Sequence, residues 1–161
     1  MTRAKPAVLL GVILLFGGGI LSGDAGAAET RTEQGITFTI VDHEIPESLT
    51  GRPGNPEDGL KWFVNRKLGN CLACHKVSAL EGEPYHGEIG PSLDGVASRL
   101  SEGEMRLRLV DPKVINPDTI MPAFFRSSGL RNVMEKFKGK TILTAQQIED
   151  IIAFLKTLKE E

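Results

Sequence analysis

A chain of 161 residues has room for one modest domain, and its 19 Lys and Arg against 21 Asp and Glu leave a net charge of −2. So mild a balance gives no support for nucleic acid or an anionic membrane as partner. There are only two cysteines.

Arg3 and Lys5 form a short basic region, Ala7 to Leu21 is an apolar stretch interrupted by glycine, and Ala25-Gly26-Ala27-Ala28 supplies small residues. Basic, apolar, small is the order of a secretory signal peptide, which assigns residues 1–28 to a leader cleaved after Ala27 or Ala28. The competing reading is a retained anchor, but the stretch falls short of the ~20 apolar residues that span a bilayer.

Residues 29–54 read as an N-terminal extension. Gly35 to Val41 alternates and is β-branched, which predicts a short strand or extended arm. Ile45-Pro46 and Arg52-Pro53-Gly54 are turn signals. His43, in this arm, defaults to the surface. A helix opens at Asn55, with Pro56 in its first turn and Glu57 and Asp58 complementing its dipole. Leu60, Phe63, Val64 and Leu68 recur at helical spacing, and Gly69 is the expected stop. Trp62 reads as core or interface.

Cys71-Leu72-Ala73-Cys74-His75 follows at once. C-x-x-C-H is the attachment signature of a c-type haem. The spacing places two thiols on one turn, able to add across the two haem vinyl groups, and carries His75 to the iron as proximal ligand. A thioredoxin-like pair would need a βαβ context that is missing here. A zinc site would need His43 and His86 to complete it from isolated positions. Covalent haem attachment in bacteria takes place outside the cytoplasmic membrane, so leader and motif support each other, and the periplasm is the expected address.

Lys76 to Gly90 is a loop in which His86 reads as exposed. The carbonyl of Pro91, in Gly90-Pro91-Ser92-Leu93-Asp94-Gly95, is placed to accept the Nδ1–H of His75 and orient the ring. Ser101-x-x-Glu104 is a capping box for a helix through Met105, Leu109 and Val110, which Asp111-Pro112 ends. Asn116 to Phe125 is a loop holding Met121-Pro122, and Leu130 to Phe137, with Met134, again has helical spacing. Thr144-x-x-Gln147 is a second capping box, stapled by Leu143 and Ile148, and Ile148, Ile151, Ile152, Leu155 and Leu158 make the apolar face of a last helix.

The sixth iron position needs a ligand. Met105 sits on an amphipathic helix and reads as core, and Met134 has helical spacing too. Met121 is in a loop, stiffened by proline, able to wrap to the opposite haem face. A His75/Met121 pair fills both axial positions, which argues for electron transfer rather than bond-making at the iron.

These elements resemble a class I cytochrome c, an all-α fold around one haem c, here spanning 55–161 behind an extended arm. Leu49-Thr50-Gly51, Gly69 to His75, Gly90 to Val96, Asn116-Pro117, Thr119 to Phe124 and Ile142 to Asp150 resemble more narrowly the SoxX family. The resemblance implies a monohaem subunit in which Cys71, Cys74, His75 and Met121 hold the haem. It implies a SoxA-type cytochrome partner carrying the catalytic site for L-cysteine S-thiosulfotransferase chemistry. In that reaction thiosulfate is conjugated to a cysteine of the SoxYZ carrier, and the electrons pass through this haem to a downstream acceptor cytochrome. No catalytic residue is expected on this chain. The residues alone leave open a free periplasmic cytochrome serving an oxidase, or a gas sensor whose Met121 dissociates.

Overall fold

In the computed structural model, which describes Met1 and residues 28–159, the helices Pro56–Val64 (α1), Val96–Arg99 (α2), Glu102–Val110 (α3) and Ala145–Leu155 (α4) pack around one apolar core, joined by long irregular loops. The proposed leader lies almost wholly outside the described residues. Among the described residues no helix is long and apolar enough to cross a membrane.

The core is organised by the crossing of α1 and α4. Asn55 caps α1, its Oδ1 accepting the N–H groups of Glu57 and Asp58 at 2.9 and 3.2 Å. The Thr144/Gln147 box caps α4 reciprocally. The two backbones nearly touch: a Cβ on Gly59 would lie 1.9 Å from the Asp150 carbonyl oxygen, so only glycine lets them approach this closely. One turn on, the rings of Phe63 and Phe154 meet at 5.1 Å between centroids, tilted by 58°. Helix α1 stops at Val64, not at Gly69 as its spacing predicts. Asn65 ends it because its Oδ1 takes the Lys67 N–H (2.9 Å) and its carbonyl takes those of Leu68 and Asn70, offering the chain a turn in place of the helical ladder.

The N-terminal extension is a hairpin, Glu29–Glu33 (β1) paired antiparallel with Ile36–Ile40 (β2), where only the second strand is legible in the sequence. β1 contains no apolar residue, so it carries no period-2 signal; main-chain pairing to β2 makes it a strand. Gln34 and Gly35 turn the hairpin with positive φ at both positions. Phe38 and Ile40 point into the core, joined by Ile45 and Leu49 further along.

A buried ion pair fastens this extension to the helices. Arg106 and Glu149, each at most 5% exposed, meet through two bonds of 2.8 and 2.9 Å. The same guanidinium donates to the Ile45 carbonyl at 2.7 Å, and Glu149 accepts the Leu49 N–H at 2.8 Å. With its partners in place, the desolvated pair is satisfied on both sides. Asp111 plays a similar part for the hairpin, accepting from Arg31 and Arg126 at 2.9 and 3.2 Å.

The helical spacing of Leu130 to Phe137 produces only a 3₁₀ turn, Glu135–Phe137. Positive φ at Gly129 and Asn132 breaks the run, and Leu130, Met134 and Phe137 are exposed.

Candidate functional site

Two adjoining cavities of about 460 and 450 Å³ open between the loop after α1 and the loop after α3. They share Cys71, His75, Pro91, Thr119 and Met121. The larger is walled by Phe63, Val96, Leu109, Ile151 and Leu155, which come from all four helices. Ile89, Ile120 and Ile142 stand at the smaller one.

Cys71–Ala73 form a 3₁₀ turn, closed by the N–H groups of Cys74 and His75, both donating to the Cys71 carbonyl at 3.1 and 2.9 Å. The tight turn brings both thiols and the imidazole to the cavity. Both cysteines are free thiols. Burial pushes the Cys71 thiol up to about 12, the opposite of the lowered pKa that activates a thioredoxin-like cysteine.

His75 is held from its far side. Its Nδ1 donates to the Pro91 carbonyl at 2.7 Å, which leaves Nε2 as the ring nitrogen with an unshared lone pair. Gly90 makes room for the ring, since a Cβ there would lie 2.4 Å from His75 Cε1. The strap that delivers Pro91 is itself tied down. Gly90 N–H bonds the Cys74 carbonyl at 2.8 Å and Leu93 N–H the Lys76 carbonyl at 3.0 Å. Asp94 accepts the Ser78 N–H at 2.7 Å and the hydroxyls of Ser78 and Ser92 at 2.8 Å each. Those donors, the Ser78 N–H first, hold the Asp94 carboxyl below the usual carboxylate range.

Across the cavity, Met121 is half-buried in a loop whose turn is set by Thr119; its N–H donates to Thr119 Oγ1 at 3.2 Å. Met105 also lines the larger cavity but is 3% exposed in the core of α3, and Met134 is 61% exposed and touches neither cavity. His43 is exposed and away from both. His86 is not exposed as its loop position suggests: it is half-buried, its Nε2 donating to the Leu80 carbonyl at 2.9 Å and its Nδ1 facing the Val77 N–H at 3.5 Å. It braces the loop and does not line either cavity. Gly90, the Asp94 network and Thr119 carry no signal of their own in the sequence, because each acts through a partner 2 to 16 positions away.

The fit of a haem rests on this geometry. Two thiols on one turn, an imidazole with one nitrogen tied away and a thioether lie on one apolar space, and the volume is in the range of cofactor sites.

Comparison with known proteins defines the class. The family description Cytochrome c matches residues 57–159, and the chain belongs to the cytochrome c family, with its all-α class I fold and covalently attached haem c. It is similar to a chain of the crystal structure of SoxXA from P. pantotrophus, at 42% identity over 76% of this chain and 95% of that one, with a TM-score of 0.71. Within the family it is a monohaem electron-transfer cytochrome of the SoxX type. A search of curated proteins gave no match.

Proposed function

We propose that this chain is the electron-accepting subunit of a periplasmic two-cytochrome complex that conjugates thiosulfate to a carrier cysteine. The observation that carries the reading is the convergence of Cys71, His75 and Met121 on one apolar cavity, with His75 Nδ1 bonded to the Pro91 carbonyl. In it Cys71 and Cys74 would hold the haem through thioethers, and His75 Nε2 and the Met121 sulfur would hold the iron. When bound, the haem supplies reversible one-electron chemistry. The chain's own residues orient and shield it: Pro91 fixes the imidazole, Gly90 admits it, and the walls of α1, α3 and α4 exclude water.

With both thiols committed, no thiol is left on this chain to carry substrate. Joining thiosulfate to a cysteine thiolate forms one S–S bond and releases two electrons, so the complex must take them up and hand them to an acceptor. The bond-making site then belongs to a SoxA-type partner, acting on a SoxYZ-type carrier, and the electrons leave to an acceptor cytochrome. The similarity to a chain of a SoxXA structure supports that partner. The basic, apolar, small order of residues 1–28 supports export and cleavage.

The test is to purify the tagged mature protein from its native periplasm and add thiosulfate and carrier. A stoichiometric second cytochrome, with haem reduction only in its presence, is the expected result. A monomer reduced by unrelated donors without thiosulfate dependence would leave a free diffusible cytochrome instead.

A further inference from the structure

The loop that carries Met121 leaves α3 at Asp111 and returns to the body at Arg126. Its two ends lie side by side, since the N–H groups of Phe124 and Phe125 donate to the Leu109 and Val110 carbonyls at 3.0 and 3.3 Å. At this base Asp111 is 2% exposed. Its Oδ2 accepts from Arg126 Nη1 at 3.2 Å and from Arg31 Nη1 at 2.9 Å. Its Oδ1 is buried and has no hydrogen-bond partner among the described residues, so two guanidinium groups compensate the charge through one oxygen. One cation comes from the far end of the loop itself, the other from β1 of the N-terminal hairpin. The hairpin also grips the chain beyond Arg126. Glu33 accepts the Ser127 N–H and hydroxyl at 3.0 and 2.5 Å, and Gln34 Nε2 donates to the Gly139 carbonyl at 2.9 Å.

We propose that Arg31, Asp111 and Arg126 form a staple across the base of this loop and position Met121 for the iron from a distance. None of the three lines either cavity of the haem site, so they are positioning residues. The inference rests on the haem seating proposed above, with Met121 as sixth ligand. A thioether that leaves the iron re-binds in proportion to its local concentration there, and a loop closed at its base keeps that concentration high. Removing one guanidinium leaves the buried carboxylate under-compensated, which favours opening of the base toward water. Both ends of the loop then gain freedom, and an external ligand competes better with Met121. The N-terminal extension is thus part of the device that holds the sixth ligand, with Arg31 reaching Asp111 across 80 positions of sequence.

The experiment is a spectroscopic titration of the ferric holoprotein with imidazole at neutral pH, for wild type, Arg126→Gln, Arg126→Lys and Arg31→Gln. Ile148→Val, a buried α4 position that lines neither cavity, controls for a general loss of stability. Arg126→Gln should raise the apparent imidazole affinity about tenfold or more, and Arg31→Gln by a smaller factor. Arg126→Lys, which keeps the charge, should return most of the way to wild type. Ile148→Val should lower the denaturation midpoint and leave the affinity where it was. An affinity in Arg126→Gln or Arg31→Gln no higher than that of Ile148→Val overturns the proposal. If Arg126→Gln attaches no haem, Arg31→Gln decides by the same criterion. The methionine–iron charge-transfer band of the wild-type protein reports the Met121 seating separately, so failure of that reading shows in the wild type and failure of the staple shows in the variants.

Discussion

The two sides of the cavity are built differently. On the His75 side, the strap 86–95 is bonded repeatedly to the segment 72–78: Gly87 to Leu72 at 2.7 Å, Gly90 to Cys74 at 2.8 Å, Leu93 to Lys76 at 3.0 Å, and Asp94 to Ser78. On the Met121 side, bonds are mostly local, Thr119 to Asn116 at 3.1 Å and Met121 to Thr119 at 3.2 Å, and the chain rejoins the body only where Phe124 bonds Leu109 at 3.0 Å. Ile120, beside the methionine, is 75% exposed. One proposed ligand is braced across two segments and the other rides on a short exposed loop. Local stability follows such contacts, so the methionine side is the one expected to yield first.

Met121→Ala should break the asymmetry most strongly. The iron should then bind imidazole or carbon monoxide readily, and its potential should fall by a sizeable part of the ~0.8 V that axial ligands command. An unchanged spectrum and potential would move the sixth ligand elsewhere. Gly90→Ala attacks the braced side. Its Cβ has nowhere to go but the imidazole ring, and the expected cost is about 1–3 kcal/mol, read as a lower denaturation midpoint together with altered His75 ligation. A denaturation midpoint equal to that of wild type would show that the strap gives way more easily than its bonds suggest.

Thr119→Val removes the one side-chain bond to the Met121 N–H. It should cost about 0.5–1.5 kcal/mol and raise the rate at which external ligands displace the methionine, without touching His75. Equal exchange rates in the variant and the wild type would place the loop's stability elsewhere, for example in the Lys113–Thr119 contact. The smallest effect is expected from Asp94→Asn. The native carboxyl has a lowered pKa, so its contribution is complete above the unfolded value and is lost as pH falls through the folded one. The wild type should therefore lose stability below about pH 4 by a step that the asparagine variant lacks; parallel acid limbs in chemical denaturation would dismiss the network as a brace.

Sequence alone determined what is local. The Asn55 cap, both capping boxes, the apolar face of α4, the C-x-x-C-H turn and the Met121-Pro122 loop each lie within a few residues, where spacing and side-chain chemistry act directly on the backbone. The Pro91 bond to His75, 16 residues apart, was also legible, because proline fixes the backbone there and keeps its carbonyl as an acceptor. Only the tertiary structure decided the rest. It made β1 a strand without a hydrophobic pattern, ended α1 at Asn65, and kept 130–137 from becoming a helix. It also buried Arg106 against Glu149, 43 positions away, and brought Cys71, His75 and Met121 to one apolar cavity. Those outcomes depend on which distant group desolvates which charge, and a linear pattern of residue types does not contain that information.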